Sequence, residues 1–273
     1  GRVISEQVRE EVGNTDFGAS ITPVGDVHLA NANPPVGDGA AGLFDGTGDY
    51  LSVPDSPDVV VGAGAFTFEC FFSISGNTGA TQIIFDTRTS YNDTTGFSVV
   101  VQPSGNLLLR HDYREVLITG TTTLANNTWY HVMVVGNGGN NGSRTLKMYL
   151  NGVQEGNTAV SDYDFTDQTC VIGAEVNRRN YFFNGLLKEL RISNIARAAV
   201  VPTAPYVFDS STKFLLHFDK YRYNTQTTAY TTEGSNTVKT VTDDHGLLSI
   251  TKTDSEGRVI SEQVREEVGN TDF

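Results

Sequence analysis

Gly42-Leu43-Phe44-Asp45-Gly46-Thr47-Gly48-Asp49-Tyr50-Leu51-Ser52-Val53-Pro54-Asp55 is a tight Gly/Asp turn feeding a short strand. Gly46 and Gly48 admit positive φ, and Asp side chains beside them can accept from loose backbone N–H groups. Tyr50 and Ser52 alternate with Leu51 and Val53, the period of a strand with one buried face. A second run, Phe66-Thr67-Phe68-Glu69-Cys70-Phe71-Phe72-Ser73-Ile74, alternates in the same way with aromatic weight. Thr, Asn, Gly and Asp dominate the polar residues, the profile of short strands joined by turns.

The chain of 273 residues is long enough for one large β-sandwich or two small domains. Its hydrophobic content of 38%, with 28 Gly and 8 Pro, is compatible with a packed core interrupted by many turns. The formal charge of −13 repels phosphate backbones, so nucleic acid is not an expected partner. Cys70 and Cys170 are too few for a disulfide framework and lie in apolar runs; buried free thiols are expected, with one bridge as the alternative. No apolar run reaches the length of a membrane span. The opening Gly1-Arg2-Val3 has neither Met nor a signal peptide, so the expected start lies inside a longer or processed protein.

Residues 1–17, GRVISEQVREEVGNTDF, recur letter for letter at 257–273, an offset of 256. The expectation is a tandem array of near-identical 256-residue modules; a duplicated terminus is the other explanation. Within the repeat, Val3 to Val8 fits a strand, while Ile4, Val8 and Val12 fit a helix face over Glu6 to Val12. Ahead of the second copy, Leu247 to Thr253 and the turn Asp254-Ser255-Glu256-Gly257 favour a hairpin running into Arg258-Val259-Ile260.

Further strands are expected at 82–86, 97–101, 106–110, 128–135, 145–150, 169–173 and 186–192, with one helical turn over Ser193 to Arg197. Asn151-Gly152 is the strongest two-residue hairpin signal. The Phe-Asp-Gly turn at Phe44, Trp129-Tyr130-His131-Val132, Tyr149-Leu150-Asn151-Gly152 and the closing Gly185-Leu186-Leu187-Lys188-Glu189-Leu190-Arg191-Ile192 together resemble laminin-G-like modules. These are the concanavalin-A-like jelly rolls that include the pentraxins. The resemblance implies an all-β fold, a jelly-roll sandwich of two antiparallel sheets. Expected core positions are Phe66, Phe68, Val99, Trp129, Val132, Val134, Leu150, Ile172 and Leu190, and Trp129→Ala is expected to cost about 3–5 kcal/mol.

Lys213-Phe214-Leu215-Leu216-His217-Phe218-Asp219 resembles the family's opening strand, yet it follows the closing one. The expected organisation is therefore a repeat overlap at 1–17, a jelly roll at 18–206, and a linker with the opening strands of the next module at 207–273. Phe214 to Phe218 is expected to complete a neighbouring module by strand addition, with folding back into the same sandwich as the alternative.

No catalytic set is legible. The histidines at 28, 111, 131, 217 and 245 are not at metal spacing, and Glu69 and Glu189 stand alone in sequence, so an enzyme is not expected. No cofactor is required. The resemblance does imply calcium at two places. The pentraxin-like site matches Asn92 and Asp93 with Glu175 and Asn177, although Arg178 and Arg179 follow directly. The other uses the turn of Asp45 and Asp49, where Lys188 replaces the family's Asp and could act as an internal ammonium. Tyr91, Tyr113 and Tyr181 are candidate glycan contacts. Asn92, Asn126 and Asn141 head glycosylation sequons.

The leading functional expectation is a structural module of an extracellular fibre, filament or adhesin whose partners are neighbouring copies of itself. The alternative is a carbohydrate-binding module of a phage tail fibre or cell-surface protein. Either places the chain at a cell or virion surface.

Overall fold

The computed structural model describes residues 21–76, 79–90, 95–111, 115–138, 144–161, 164–176, 181–219, 227–233, 236–243, 246–255 and 259–264. The chain divides into two compact units, residues 1–220 and 221–273.

The first unit carries β1 (Thr22–Val24), β2 (His28–Asn31), β3 (Ala40–Asp45), β4 (Tyr50–Val53), β5 (Phe66–Ile74), β6 (Gln82–Asp86), β7 (Ser98–Val101) and β8 (Leu107–Arg110). It continues with β9 (Val116–Thr119), β10 (Trp129–Asn137), β11 (Arg144–Leu150), β12 (Val153–Ser161), β13 (Cys170–Ile172), β14 (Asn184–Ser193) and β15 (Thr212–Leu216). One sheet runs β1-β4-β13-β6-β7-β8-β9; the other runs β12-β11-β10-β5-β14-β3-β2, with β15 paired to β14. All pairings are antiparallel, and the expected two-sheet jelly roll is observed.

Alternation explains how the sheets meet. On β5, Phe66, Phe68, Cys70, Phe72 and Ile74 enter the shared core, and on the facing sheet Val99, Val101, Leu107, Leu109 and Ile172 do the same. The expected core residues are buried, with one exception. Trp129 is only half-buried at the start of β10, where its indole Nε1 donates to the Ala32 carbonyl at 3.3 Å. Its strand position puts it at the rim of the sandwich. Cys70 and Cys170 are both free and buried.

Asn151 and Gly152 join β11 to β12 with φ of 49° and 78°, the two positive values that a right-twisted two-residue hairpin needs. The helical turn expected after Ser193 does not form. Thr67 Oγ1 donates to the Ile195 carbonyl at 2.8 Å and accepts from the Arg197 N–H at 2.9 Å, so these groups are held by β5 instead of by a local helix.

The strand at 212–216 requires a correction. β15 pairs with the same chain's β14, Leu190↔Leu216 through Ile192↔Phe214, the folding-back alternative. The reason lies in β14, which forks. Its first half, Asn184 to Leu187, pairs with β3, and after a bulge its second half pairs with β15 on the same edge. Glu189, at φ 52°, makes the bulge. Phe214, Leu216 and Phe218 then enter the core, with Phe218 edge-on to Phe44 at 6.4 Å between ring centroids. The sandwich thus extends beyond residue 206.

The second unit is an antiparallel meander of β16 (Thr227–Glu233), β17 (Asn236–Asp243), β18 (Gly246–Thr253) and β19 (Val259–Val264). The expected hairpin into the second repeat copy is observed as β18–β19. The first copy lies outside the described residues. Among the described residues no helix is long and apolar enough to cross a membrane.

Candidate functional site

Each sheet has an outer face, formed by the residues that alternate with the core. On the seven-stranded sheet these make two small apolar clusters. One joins Tyr50, Val171 and Ala174 to Val24, Val176 and Phe182; the other joins Ile83, Val100 and Leu108 to Tyr181. Tyr50 and Phe182 stack at 6.5 Å and 24°. Tyr181 is half-buried at φ 54°, a left-handed conformation that costs a bulky residue energy and marks a specially held position. Tyr181 and Phe182, adjacent in the chain, thus pack on two clusters of one outer face. Of the tyrosines expected to meet a glycan, Tyr91 and Tyr113 lie outside the described residues. Phe182 and Tyr50 were not singled out from sequence; the Tyr181-Phe182 dipeptide was the available signal.

Buried charges also lie at this sheet. Arg88 donates from Nε and Nη2 to the two Asp86 oxygens at 2.8 and 2.7 Å, and its Nη2 lies 3.6 Å from Glu175 Oε1. Burial lowers the pKa of Arg110, and the neighbouring Arg88 lowers it further. Glu175, expected as a calcium ligand, is thus beside an internal guanidinium, which does not fit a divalent cation at that carboxylate. Its expected co-ligands Asn92, Asp93 and Asn177 lie outside the described residues.

Lys188, expected as an internal ammonium at the turn of Asp45 and Asp49, contacts a different set of oxygens. Lys188 is fully buried; its Nζ pairs with Asp219, reaches the Phe218 carbonyl at 3.3 Å and lies 3.6 Å from Asp38 Oδ1. Carboxylates and a carbonyl are the donors a hard cation would take, and here an ammonium takes them. Burial, with Asp38 adding to it, pushes the Asp219 carboxyl up to about 6 from an ordinary 3.8, against the opposing pull of Lys188. Between these values the folded chain binds a proton that the unfolded chain does not, so stability rises as pH falls through the window. The cost of the buried charge is fully present above pH 6. Asp219→Asn is expected to flatten that slope in unfolding free energies measured from about pH 7 to about pH 4; an unchanged slope would assign it to another group.

Asp45 and Asp49 are near each other as expected, and the fold adds Asp26: the three offer carboxylate oxygens within 4.8 Å of one another. Asp49 accepts from the Asp26 N–H at 2.8 Å and the Asp45 N–H at 3.0 Å. Burial lifts its carboxyl above the ordinary value despite these bonds. Its immediate role is to tie the strand-entry turn to the β1–β2 connection.

On the outer face of the eight-stranded sheet, part of the segment 197–212 packs beside Glu69, Met133 and Arg191. Glu69 takes two bonds from Arg191, at 2.9 and 2.7 Å, and His131 Nε2 lies 3.5 Å away. Burial raises the Glu69 carboxyl, but the bonds to His131 and Arg191 outweigh it and leave the pKa below the ordinary value. Tyr206 locks this strap down. Its N–H donates to Glu189 at 2.8 Å, its hydroxyl is 2.8 Å from His131 Nε2, and Arg191 lies over its ring at 4.0 Å. His217 Nδ1 is 2.9 Å from both Glu189 oxygens. Glu69 and Glu189, which stand alone in sequence, meet under one strap because the β14 bulge turns Glu189 toward it. A cleft of about 380 Å³ remains beside Glu69, Met133, Arg191, Pro202, Tyr206 and Val207. Arg197, bonded to both Asp209 oxygens at 2.7 and 2.8 Å, anchors the far end.

Asn126 is exposed, as a sequon asparagine must be to accept a glycan; Asn92 and Asn141 lie outside the described residues.

Residues 45–200 match the family Laminin_G_3, described as the Concanavalin A-like lectin/glucanases superfamily. Comparison with curated proteins gives no match. Among solved structures, the binding domain of botulinum neurotoxin DC, solved with rat synaptotagmin II, is 13% identical. It has a TM-score of 0.50 over 86% of this chain and 66% of that one. Domain 4 of AbnA, an extracellular GH43 arabinanase from Geobacillus stearothermophilus solved with arabinotriose, is 20% identical, with a TM-score of 0.49 over 66% and 84% of the two chains. A heptameric SAP-like pentraxin from Limulus polyphemus is 18% identical, with a TM-score of 0.46 over 64% and 90%. At such identities the similarity concerns the fold.

Proposed function

The chain belongs to the Concanavalin A-like lectin/glucanases superfamily, and from that membership we propose that its sandwich is a non-catalytic glycan-binding module of an extracellular or virion-surface protein. One observation supports the reading: Tyr181 and Phe182, adjacent in the chain, both pack on the outer face of the seven-stranded sheet, whereas on the other sheet the Tyr206 strap packs over Glu69 and Arg191. Aromatic faces offer sugars a flat apolar platform, the usual lining of a small-ligand site. The buried carboxylates Asp86, Glu69 and Glu189 are bonded to arginine, histidine or backbone donors, an arrangement that favours anchoring over general acid catalysis.

A glycan array probed with the whole chain tests this. Binding to one polysaccharide class is expected, and Tyr181→Ala should weaken it at least tenfold, about 1.4 kcal/mol. Retention of no glycan, or equal binding by the variant, would overturn the reading.

A second reading concerns assembly, and the 17-residue repeat favours it. The module is one period of a tandem array in a fibre or adhesin, with copies of itself as partners. The coding sequence checks it: further copies are expected at the same 256-residue spacing.

A further inference from the structure

Met133, Glu69 and Arg191 stand side by side on three neighbouring strands: Met133 of β10 and Arg191 of β14 are both register partners of Glu69 on β5. The strap passes beside this row. The cleft of about 380 Å³ is lined by the row on one side and by Val200, Pro202, Pro205 and Val207 of the strap on the other. We propose that this cleft binds a small monocarboxylate with a compact hydrocarbon body. The site is separate from the face of Tyr181 and Phe182 and stands or falls without it.

Three features select that ligand. The first is the charge of the walls. Glu69, Arg191 and Arg197 are the charged residues lining the cleft among the described residues, two guanidinium groups to one carboxylate. Asp209, the partner of Arg197, is 46% exposed and stands outside the lining, where solvent screens it. The second feature is a fixed donor. Arg191 uses Nε and Nη2 on a single Glu69 oxygen and lies over the Tyr206 ring at 4.0 Å, so its plane is held before any ligand arrives. Its Nη1 makes no hydrogen bond with the described residues, and the flat guanidinium fork is matched to a carboxylate. The third feature is the apolar remainder. Pro202 and Pro205 have no backbone N–H, and with Val200, Val207 and Met133 they offer hydrocarbon surface in place of competing donors. Sugar hydroxyls would be left unsatisfied against such a wall, whereas an apolar body with one acidic head suits both sides. The volume falls within the range of small-ligand sites, about 300–1,000 Å³.

Calorimetric titration of the whole chain tests the proposal, with straight-chain, branched and phenyl-substituted monocarboxylates of about four to ten carbons and the primary amide of each. At least one acid is expected to bind saturably with a Kd of about 1 mM or lower, roughly tenfold or more tighter than its amide. Val200 and Val207 are each 66% exposed, so charges introduced there leave the core intact. Val200→Asp with Val207→Asp should weaken binding of the acid roughly tenfold, and Val200→Lys with Val207→Lys should not weaken it. Glu69→Gln with Arg191→Gln removes both charges together, so that neither is left buried alone, and this chain should bind acid and amide alike. Its cooperative thermal unfolding checks that it is folded; if it is not, the exposed valine pairs carry the test. No saturable binding across the series, or acid and amide bound equally by the parent chain, would overturn the proposal. So would aspartate and lysine pairs that change the affinity for the acid by the same factor.

Discussion

Phe68→Ala is expected to lower the unfolding free energy by about 3–5 kcal/mol, the largest loss from a single core side chain here. Phe68 is fully buried in the middle of β5, with the Phe85 ring 4.5 Å and the Phe97 ring 6.3 Å from its own. Its neighbours across the ladder are Val134 on β10 and Ile192 on β14, so both sides of the eight-stranded sheet lose packing when the ring is removed. Aromatic rings from two sheets cannot collapse into the space without moving backbone, and the cavity term adds to the lost transfer energy. Urea unfolding provides the measurement: the midpoint should fall while the slope stays constant. Trp129→Ala is the internal comparison. Because Trp129 is half-buried at a strand end, its loss is expected to be the smaller of the two, and the opposite order would mean that the core is centred elsewhere.

Lys188→Met is expected to cost about 3–5 kcal/mol near neutral pH, by a different route. Methionine preserves much of the volume but removes the charge. The carboxylates of Asp219 and Asp38 then face each other without the ammonium that pairs with the first and lies 3.6 Å from the second. A buried pair contributes little net stability over an apolar replacement, yet removing one partner leaves the other desolvated. Two further measurements separate this cause from simple repacking. The loss should shrink as pH falls and the carboxyls take up protons, and it should shrink when Asp38→Asn and Asp219→Asn are added to Lys188→Met. A Lys188→Met chain as stable as the parent at pH 7 would show that the ammonium does not hold this corner together.

Two of the departures from expectation have a common physical origin. Trp129 and Phe214 to Leu216 both lie in good strand patterns, and both are in strands in the fold. Alternation reports which residues share a face, but a face has a centre and a rim. A strand also has two edges whose partners are chosen by backbone groups common to all residues. The rim position of Trp129 and the return of β15 to β14 were therefore not legible. Nor was the meeting of Glu69 and Glu189 under Tyr206, which depends on a one-residue bulge that shifts every following side chain.

What the sequence by itself determined is considerable: an all-β chain, strands placed by period two, the Asn151-Gly152 hairpin, the β18–β19 hairpin and the exact 17-residue repeat. The tertiary structure alone decided where the Tyr206 strap packs and that Tyr181 and Phe182 share an outer face. It also decided that Asp26 joins Asp45 and Asp49, and that Arg88 stands beside Glu175. These contacts join residues far apart in the chain, and their partners are set by sheet order and bulges, for which a linear pattern of apolar and polar residues carries no term.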